Sequence, residues 1–181
     1  IIDPANGRQP MCSDDNSIAV VFNGEIYNHL QLRSELTKKG HQFRTASDTE
    51  SLLHGYEEYG AELLCRLRGM FAFAVWDNKA QSLFLARDPF GIKPLYYTQN
   101  NGCFAFASEI KSLLELPGIQ PRLNLCALDQ YLSFQYSVLP ETFFQGIFRL
   151  PPGHYLLYQD GKAELLRYWT PGLAPQYRQN T

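Results

Sequence analysis

No stretch of this chain approaches the roughly 20 consecutive apolar residues that a membrane-spanning helix needs, and no basic start leads into an apolar signal core. A cytoplasmic protein is the expectation. Neither sign of charge dominates: 16 basic residues face 18 acidic ones, for a formal net charge of −2. That balance gives no electrostatic footing for nucleic acid or an anionic membrane, and neither is expected as a partner. Cysteine is sparse, with Cys12, Cys65, Cys103 and Cys126 far apart and no Cys-x-x-Cys pair. They read as free thiols in a reducing compartment, although two disulfides stay arithmetically open. Cys65 and Cys126 are expected as inert packing on apolar helices, and Cys103 as a strand residue. His29, His41, His54 and His154 fall at no metal-binding spacing with one another or with a cysteine, so no structural zinc is expected. There is also no Gly-rich phosphate loop of the Walker or dinucleotide type, which excludes an ATP site within these residues.

What is present suffices for one packed domain: 181 residues, 45% of them hydrophobic. Phe71, Phe73, Phe84, Phe104 and Phe106 alternate with small or apolar residues in the manner of strand cores rather than base-stacking platforms. The most informative run is Phe22-Asn23-Gly24-Glu25-Ile26-Tyr27-Asn28. Ile18 to Phe22 reads as a buried strand that ends at Asn23-Gly24. On the dipeptide alone this is a type I′ hairpin turn. The residues that follow favour a strand-to-helix connection instead, because Leu32 and Leu36 stand at helical spacing, Asn28 is a candidate N-cap and Gly40 a stop. A side-chain carboxamide next to an unhindered glycine amide can aim two donors at one oxyanion.

Further along, Ser47-Asp48-Thr49-Glu50 has the capping-box pattern and opens a helix with Leu52, Leu53, Tyr56 and Tyr59 on its apolar face. A helical turn through Leu63, Leu64 and Leu67 precedes a buried strand from Met70 to Trp76. Ser82–Ala86, Leu95–Thr98 and Cys103–Ala107 then read as a meander of short strands. Glu109–Leu114 and Ala127–Leu132 look helical, and Asp160-Gly161 turns a late hairpin. Strand runs and helix runs are segregated, which favours α+β over a parallel α/β sheet. From Trp169 onward, Pro171, Gly172, Pro175 and the glutamines read as a linker, which leaves residues 1–168 as the domain and 169–181 as the connection.

Four ordered motifs carry a family resemblance: Asn23 to Asn28, Ser47 to Glu50, Arg68-Gly69-Met70-Phe71-Ala72-Phe73-Ala74, and Arg87-Asp88-Pro89-Phe90-Gly91-Ile92-Lys93-Pro94-Leu95-Tyr96-Tyr97. Together they resemble the type 2 glutamine amidotransferase domain, the glutaminase part, of glutamine-hydrolysing asparagine synthetases. The likeness extends from Ile1 to about Trp169 and includes Leu150-Pro151-Pro152-Gly153-His154. It implies the N-terminal-nucleophile hydrolase fold, two stacked antiparallel sheets flanked by helices in an αββα sandwich. It also implies a synthetase domain beyond the linker, which would use ATP and magnesium. None of those cofactors is expected in these residues.

By that resemblance Asn23 and Gly24 form the oxyanion hole, Glu25 and Asp48 receive the α-ammonium of L-glutamine, and Ile1 and Ile2 line the pocket. Carboxylates for an ammonium make chemical sense independently. Taken singly, Asp48 also serves as a first-turn acid on a helix dipole and Glu25 as a solvated loop charge. The family's nucleophile is a cysteine at mature position one whose own α-amine acts as base; this chain begins with Ile1, so hydrolysis by the 181 residues alone is not expected. The family's first strand and a carboxylate-gripping arginine would lie upstream, leaving a sheet edge with self-association as a homodimer, or marginal stability, as the expected consequence. Cys12, internal and beside a turn, has no α-amine and is not expected to substitute. Arg87, Asp88 and Lys93 read as a bend held by an ion pair, and Glu109 and Lys111 as helix-end charges. Another type 2 amidotransferase with a different acceptor, or a non-catalytic glutamine-binding module, are the competing readings.

Overall fold

A computed structural model describes residues 2–3, 6–100, 102–136 and 140–172. Ile1 lies outside the described residues, as does the part of the expected linker beyond residue 172. The elements follow the order β1 (Met11–Cys12), β2 (Ile18–Ile26), α1 (His29–Lys38), α2 (Asp48–Tyr59), a 3-10 helix (Gly60–Cys65), β3 (Gly69–Asp77) and β4 (Ser82–Arg87). They continue with β5 (Tyr96–Asn100), β6 (Cys103–Ala107), α3 (Ile110–Leu114), α4 (Leu125–Phe134), β7 (Ile147–Arg149), β8 (His154–Gln159) and β9 (Lys162–Arg167).

The strands form two antiparallel sheets, a six-stranded one in the order β1-β2-β3-β4-β8-β9 and a three-stranded one in the order β6-β5-β7. The layering follows from the alternation Phe71-Ala72-Phe73-Ala74-Val75 along β3. Its large members join Val20, Ile26 and Phe84 in a core with Leu32 and Leu36 of α1 and Leu52 and Leu53 of α2. Its small members, with Leu85 and Leu156, face Leu95, Leu150 and the rings of Tyr97, Phe104 and Phe106. Alanines on one sheet make room for aromatics from the other, and α3 packs on β5 and β6. The α+β expectation and the two stacked antiparallel sheets are therefore what the chain forms. Phe71 and Phe73 are fully buried, each stabilising the fold by about 1.5–3 kcal/mol relative to exposure.

Five local expectations are corrected. First, β2 does not end at Phe22 but runs through Asn23 and Gly24 to Ile26, paired with β3 as far as Ile26↔Gly69. Glycines on both strands make this possible: a Cβ on Gly24 would lie 2.1 Å from the Met70 carbonyl oxygen, and one on Gly69 would lie 2.2 Å from that of Glu25. Second, β4, β5 and β6 are not one meander, because β4 belongs to the large sheet and the β5–β6 hairpin to the small one. The crossover is organised by buried Asp88, whose carboxylate accepts from the backbone N–H groups of Phe71, Phe90, Ile92 and Lys93. Third, Arg87 does not form an ion pair with it but donates to the carbonyls of Lys93, Leu150 and Gly91 at 2.6–2.7 Å. Burial pushes the Arg87 pKa down from its ordinary value. Fourth, Asn28 precedes α1 without capping it; its side chain instead donates to the Arg66 carbonyl and accepts from the Arg68 N–H. Fifth, Cys65 and Cys126 are exposed rather than packed, as are Cys12 and Cys103, and all four are free thiols. Among the described residues no helix is long and apolar enough to cross a membrane.

Candidate active site

A cleft of about 390 Å³ opens at the end of the large sheet. Phe22, Asn23, Gly24 and Glu25 of β2, Asp48 of α2, Met70 of β3 and Lys93 of the crossover loop form its walls, with Ile2 and Gln9 from the N-terminal segment. Every described residue expected from the sequence is thus brought to one place.

The alternation of an antiparallel strand decides which N–H groups of β2 are available here. Phe71 lies opposite Gly24, yet the Phe71 N–H donates to Asp88 and its carbonyl accepts from the Asp88 N–H. Its backbone therefore faces β4, and the Gly24 N–H faces the other way, along the open edge with those of Phe22 and Ile26. Two of these three have partners. The Phe22 N–H donates to Gln9 Oε1 at 2.6 Å, while Gln9 Nε2 donates back to the Phe22 carbonyl at 2.9 Å. The Ile26 N–H donates to Asp48 Oδ2 at 3.0 Å. Between them the Gly24 N–H is left at the cleft. Asn23 projects from the same strand, and its Nδ2 donates to Ser108 Oγ at 3.3 Å. A carboxamide nitrogen carries two hydrogens, so one N–H is oriented by Ser108 and the second remains to pair with a ligand.

The carboxylates are placed by the N-terminus of α2. Ser47 caps it, its hydroxyl accepting from the Thr49 N–H. Glu50 does not close the capping box onto Ser47 but accepts from the N–H groups of Arg44 and Thr45, fixing the loop that precedes the helix. Asp48 is 7% exposed and spends one oxygen on β2, with Glu25 more exposed on the strand itself. The N-terminal segment closes over this corner: Asp3 Oδ2 accepts from the Ala46 N–H at 2.9 Å, and that bond holds the Asp3 carboxyl below its ordinary pKa. Sequence reasoning missed Gln9, Ser108 and Lys93. No local signal marks the first two, since their partners are set by pairing across the chain. Lys93 belongs to a motif that was read as a bend.

A second cluster was invisible to spacing. The loop after α1 folds back onto α2 and brings His41, His54 and Glu57 together, so the sequence expectation about metal-ligand spacing does not describe how these side chains meet.

Two antiparallel sheets with an edge glycine amide and a carboxamide over a cleft define the class, an N-terminal-nucleophile amidotransferase fold. Among solved structures, glutamine phosphoribosylpyrophosphate amidotransferase from B. subtilis shares the fold with a TM-score of 0.62 and 24% identity, over 89% of this chain and 32% of that one. The chain belongs to the glutamine amidotransferase domain family, whose model matches residues 1–169. It is 44% identical over 176 residues to asparagine synthetase [glutamine-hydrolyzing] 1 of Bacillus subtilis, covering 97% of this chain and 28% of that protein. It is 40% identical over 172 residues to asparagine synthetase [glutamine-hydrolyzing] 2 of Arabidopsis thaliana, covering 94% and 24% respectively. Amidase chyE of Penicillium rubens matches at 42% over 166 residues, covering 91% and 24%. The chain therefore spans about a quarter of the length of these curated relatives.

Proposed function

We propose that this chain is the glutaminase portion of an asparagine synthetase, hydrolysing L-glutamine to glutamate and ammonia for ATP-dependent amidation of aspartate in the parent enzyme. The observation that carries the reading is the Gly24 N–H, bracketed on its strand edge by two N–H groups already taken, beside the Asn23 carboxamide. These two donors hold the carbonyl oxygen of the substrate amide as it becomes an oxyanion. Glu25 and Asp48 receive the α-ammonium, with Ile2 on the wall; Ile1 belongs to the same proposal and lies outside the described residues. The nucleophile is an N-terminal cysteine thiolate, as the family resemblance implies. ATP and magnesium serve a synthetase domain outside these residues, and the free thiols suit a cytoplasmic setting.

The match to amidase chyE supports a second reading, the same domain type serving another acceptor. The natural polypeptide containing this chain should be assayed with glutamine, aspartate, ATP and magnesium. Glutamate together with asparagine supports the proposal. Glutamate without asparagine points to another acceptor, and glutamine binding without turnover points to a non-catalytic module.

A further inference from the structure

Where the loop after α1 meets α2 near the start of β2, a cleft of about 610 Å³ is bordered by His41, His54, Glu57, Asp15, Ile18 and Lys79. One ring nitrogen of each histidine and one oxygen of Glu57 lie within 4.8 Å of one another. Glu57 Oε2 stands 2.7 Å from His54 Nδ1 and 3.6 Å from His41 Nδ1, so both Nδ1 atoms converge on one carboxylate oxygen. Of the far nitrogens, His41 Nε2 is hydrogen-bonded to Glu58 Oε2 at 3.2 Å, while His54 Nε2 lies 3.8 Å from Glu50 Oε1, beyond hydrogen-bond reach.

A histidine that donates its Nε2 hydrogen to a carboxylate presents the lone pair of Nδ1 on its other side. Here His54 Nδ1 is hydrogen-bonded to Glu57 Oε2 at 2.7 Å, and a cation that displaces the shared proton would join the same two atoms, with His41 Nδ1 on its other side. A carboxylate behind the far nitrogen, as Glu58 stands behind His41, is the arrangement that orients a metal-bound imidazole and raises its basicity. Three carboxylates converge on the cluster, and Lys39 engages Glu58 at 2.6 Å. Glu50 is already committed to the backbone of Arg44 and Thr45. The histidines are 19% and 13% exposed, held by the fold yet reachable from the cleft.

We propose that His41, His54 and Glu57 form a binding site for one zinc-type divalent ion. Two imidazoles and a carboxylate suit zinc and its borderline neighbours, not magnesium or calcium, which favour all-oxygen shells. Tetrahedral zinc places its ligand atoms about 3.3 Å apart at bond lengths of about 2.0–2.2 Å, within reach of small side-chain rotations from the distances here. Three protein ligands leave the fourth position to water on the cleft side. The ion would pin the loop after α1 onto α2, the helix that presents Asp48 at its other end.

The test titrates zinc chloride into the natural polypeptide containing this chain, after chelator treatment and with the exposed thiols alkylated. One equivalent should bind, and binding should raise the melting temperature. His41→Gln, His54→Gln and Glu57→Gln should each weaken binding by about 100-fold or more. Glu57 is the most exposed of the three, so Glu57→Gln serves where a histidine variant fails to fold by circular dichroism. Saturable binding that survives these substitutions in folded protein, or no binding tighter than about 1 mM, would overturn the site.

Discussion

At the scale of single residues, the site depends on which backbone N–H groups of β2 have partners. Gly24 sits where a side chain cannot: a Cβ would approach the Met70 oxygen to 2.1 Å and Phe71 Cα to 2.8 Å, both backbone atoms unable to rotate away. Gly24→Ala should therefore destabilise the fold by about 2 kcal/mol or more through separation of β2 from β3. Denaturant unfolding checks this, and a loss below about 0.5 kcal/mol would mean that the strands are not so closely apposed. That Asn23, Gly24, Glu25 and Asp48 share one cleft was legible through the family motifs that carry them, whereas Glu25 and Asp48 taken singly read as a loop charge and a first-turn acid. That Gly24 lies inside a strand was not legible, since Asn-Gly carries a strong turn signal that the pairing of β2 with β3 out to Ile26↔Gly69 overrides. Gln9 was equally hidden. Its carboxamide imitates a neighbouring strand at Phe22, a pairing with no local pattern.

Among the elements, α1 and α2 follow their spacing: Leu32, Leu36, Leu52 and Leu53 are buried as a helical stripe requires. The chemistry at their ends follows the tertiary structure. Asn28 reaches across to the chain entering β3, where its two bonds join the Tyr27 N–H to Arg68 carbonyl contact. Asn28→Ala should cost about 1–2 kcal/mol, with hydrogen exchange rising at Tyr27 and Arg68 while the first turn of α1 keeps its protection. Exchange rising in α1 instead would mean that Asn28 acts as a cap after all. Ser47 does cap α2, as the pattern Ser-x-x-Glu suggests. Glu50 turns to the preceding loop because Thr45 offers both an N–H and a hydroxyl.

Over the whole molecule, the sandwich was legible only through the family resemblance; the Phe-Ala-Phe-Ala alternation of β3, legible by itself as a buried strand, is what separates a helix-facing core from a sheet-facing one. The assignment of β4 and β5 to different sheets was not, because Asp88 and Arg87 redirect the chain through backbone contacts that no periodicity encodes. The turns at the far end of the sheet are joined by Asp15, which accepts from Lys79 and from both Ser13 and Ser17. The Lys79 contact, followed by the serine bonds, holds the Asp15 carboxyl well below its ordinary value of 3.8. A depressed carboxylate pKa contributes stability that is present above the unfolded value and is lost as pH falls through the folded one. Melting temperature should therefore decline below about pH 4, and Asp15→Asn should flatten that decline while lowering stability near neutrality. An unchanged acid limb in the variant would contradict the pairing. The central claim, that Asn23 and Gly24 hold an oxyanion, is tested most directly by steady-state glutamine hydrolysis in the natural polypeptide carrying Asn23→Ala. The expected result is a fall in kcat of about 100-fold to 1,000-fold with KM nearly unchanged. A kcat equal to that of the unsubstituted protein would contradict it.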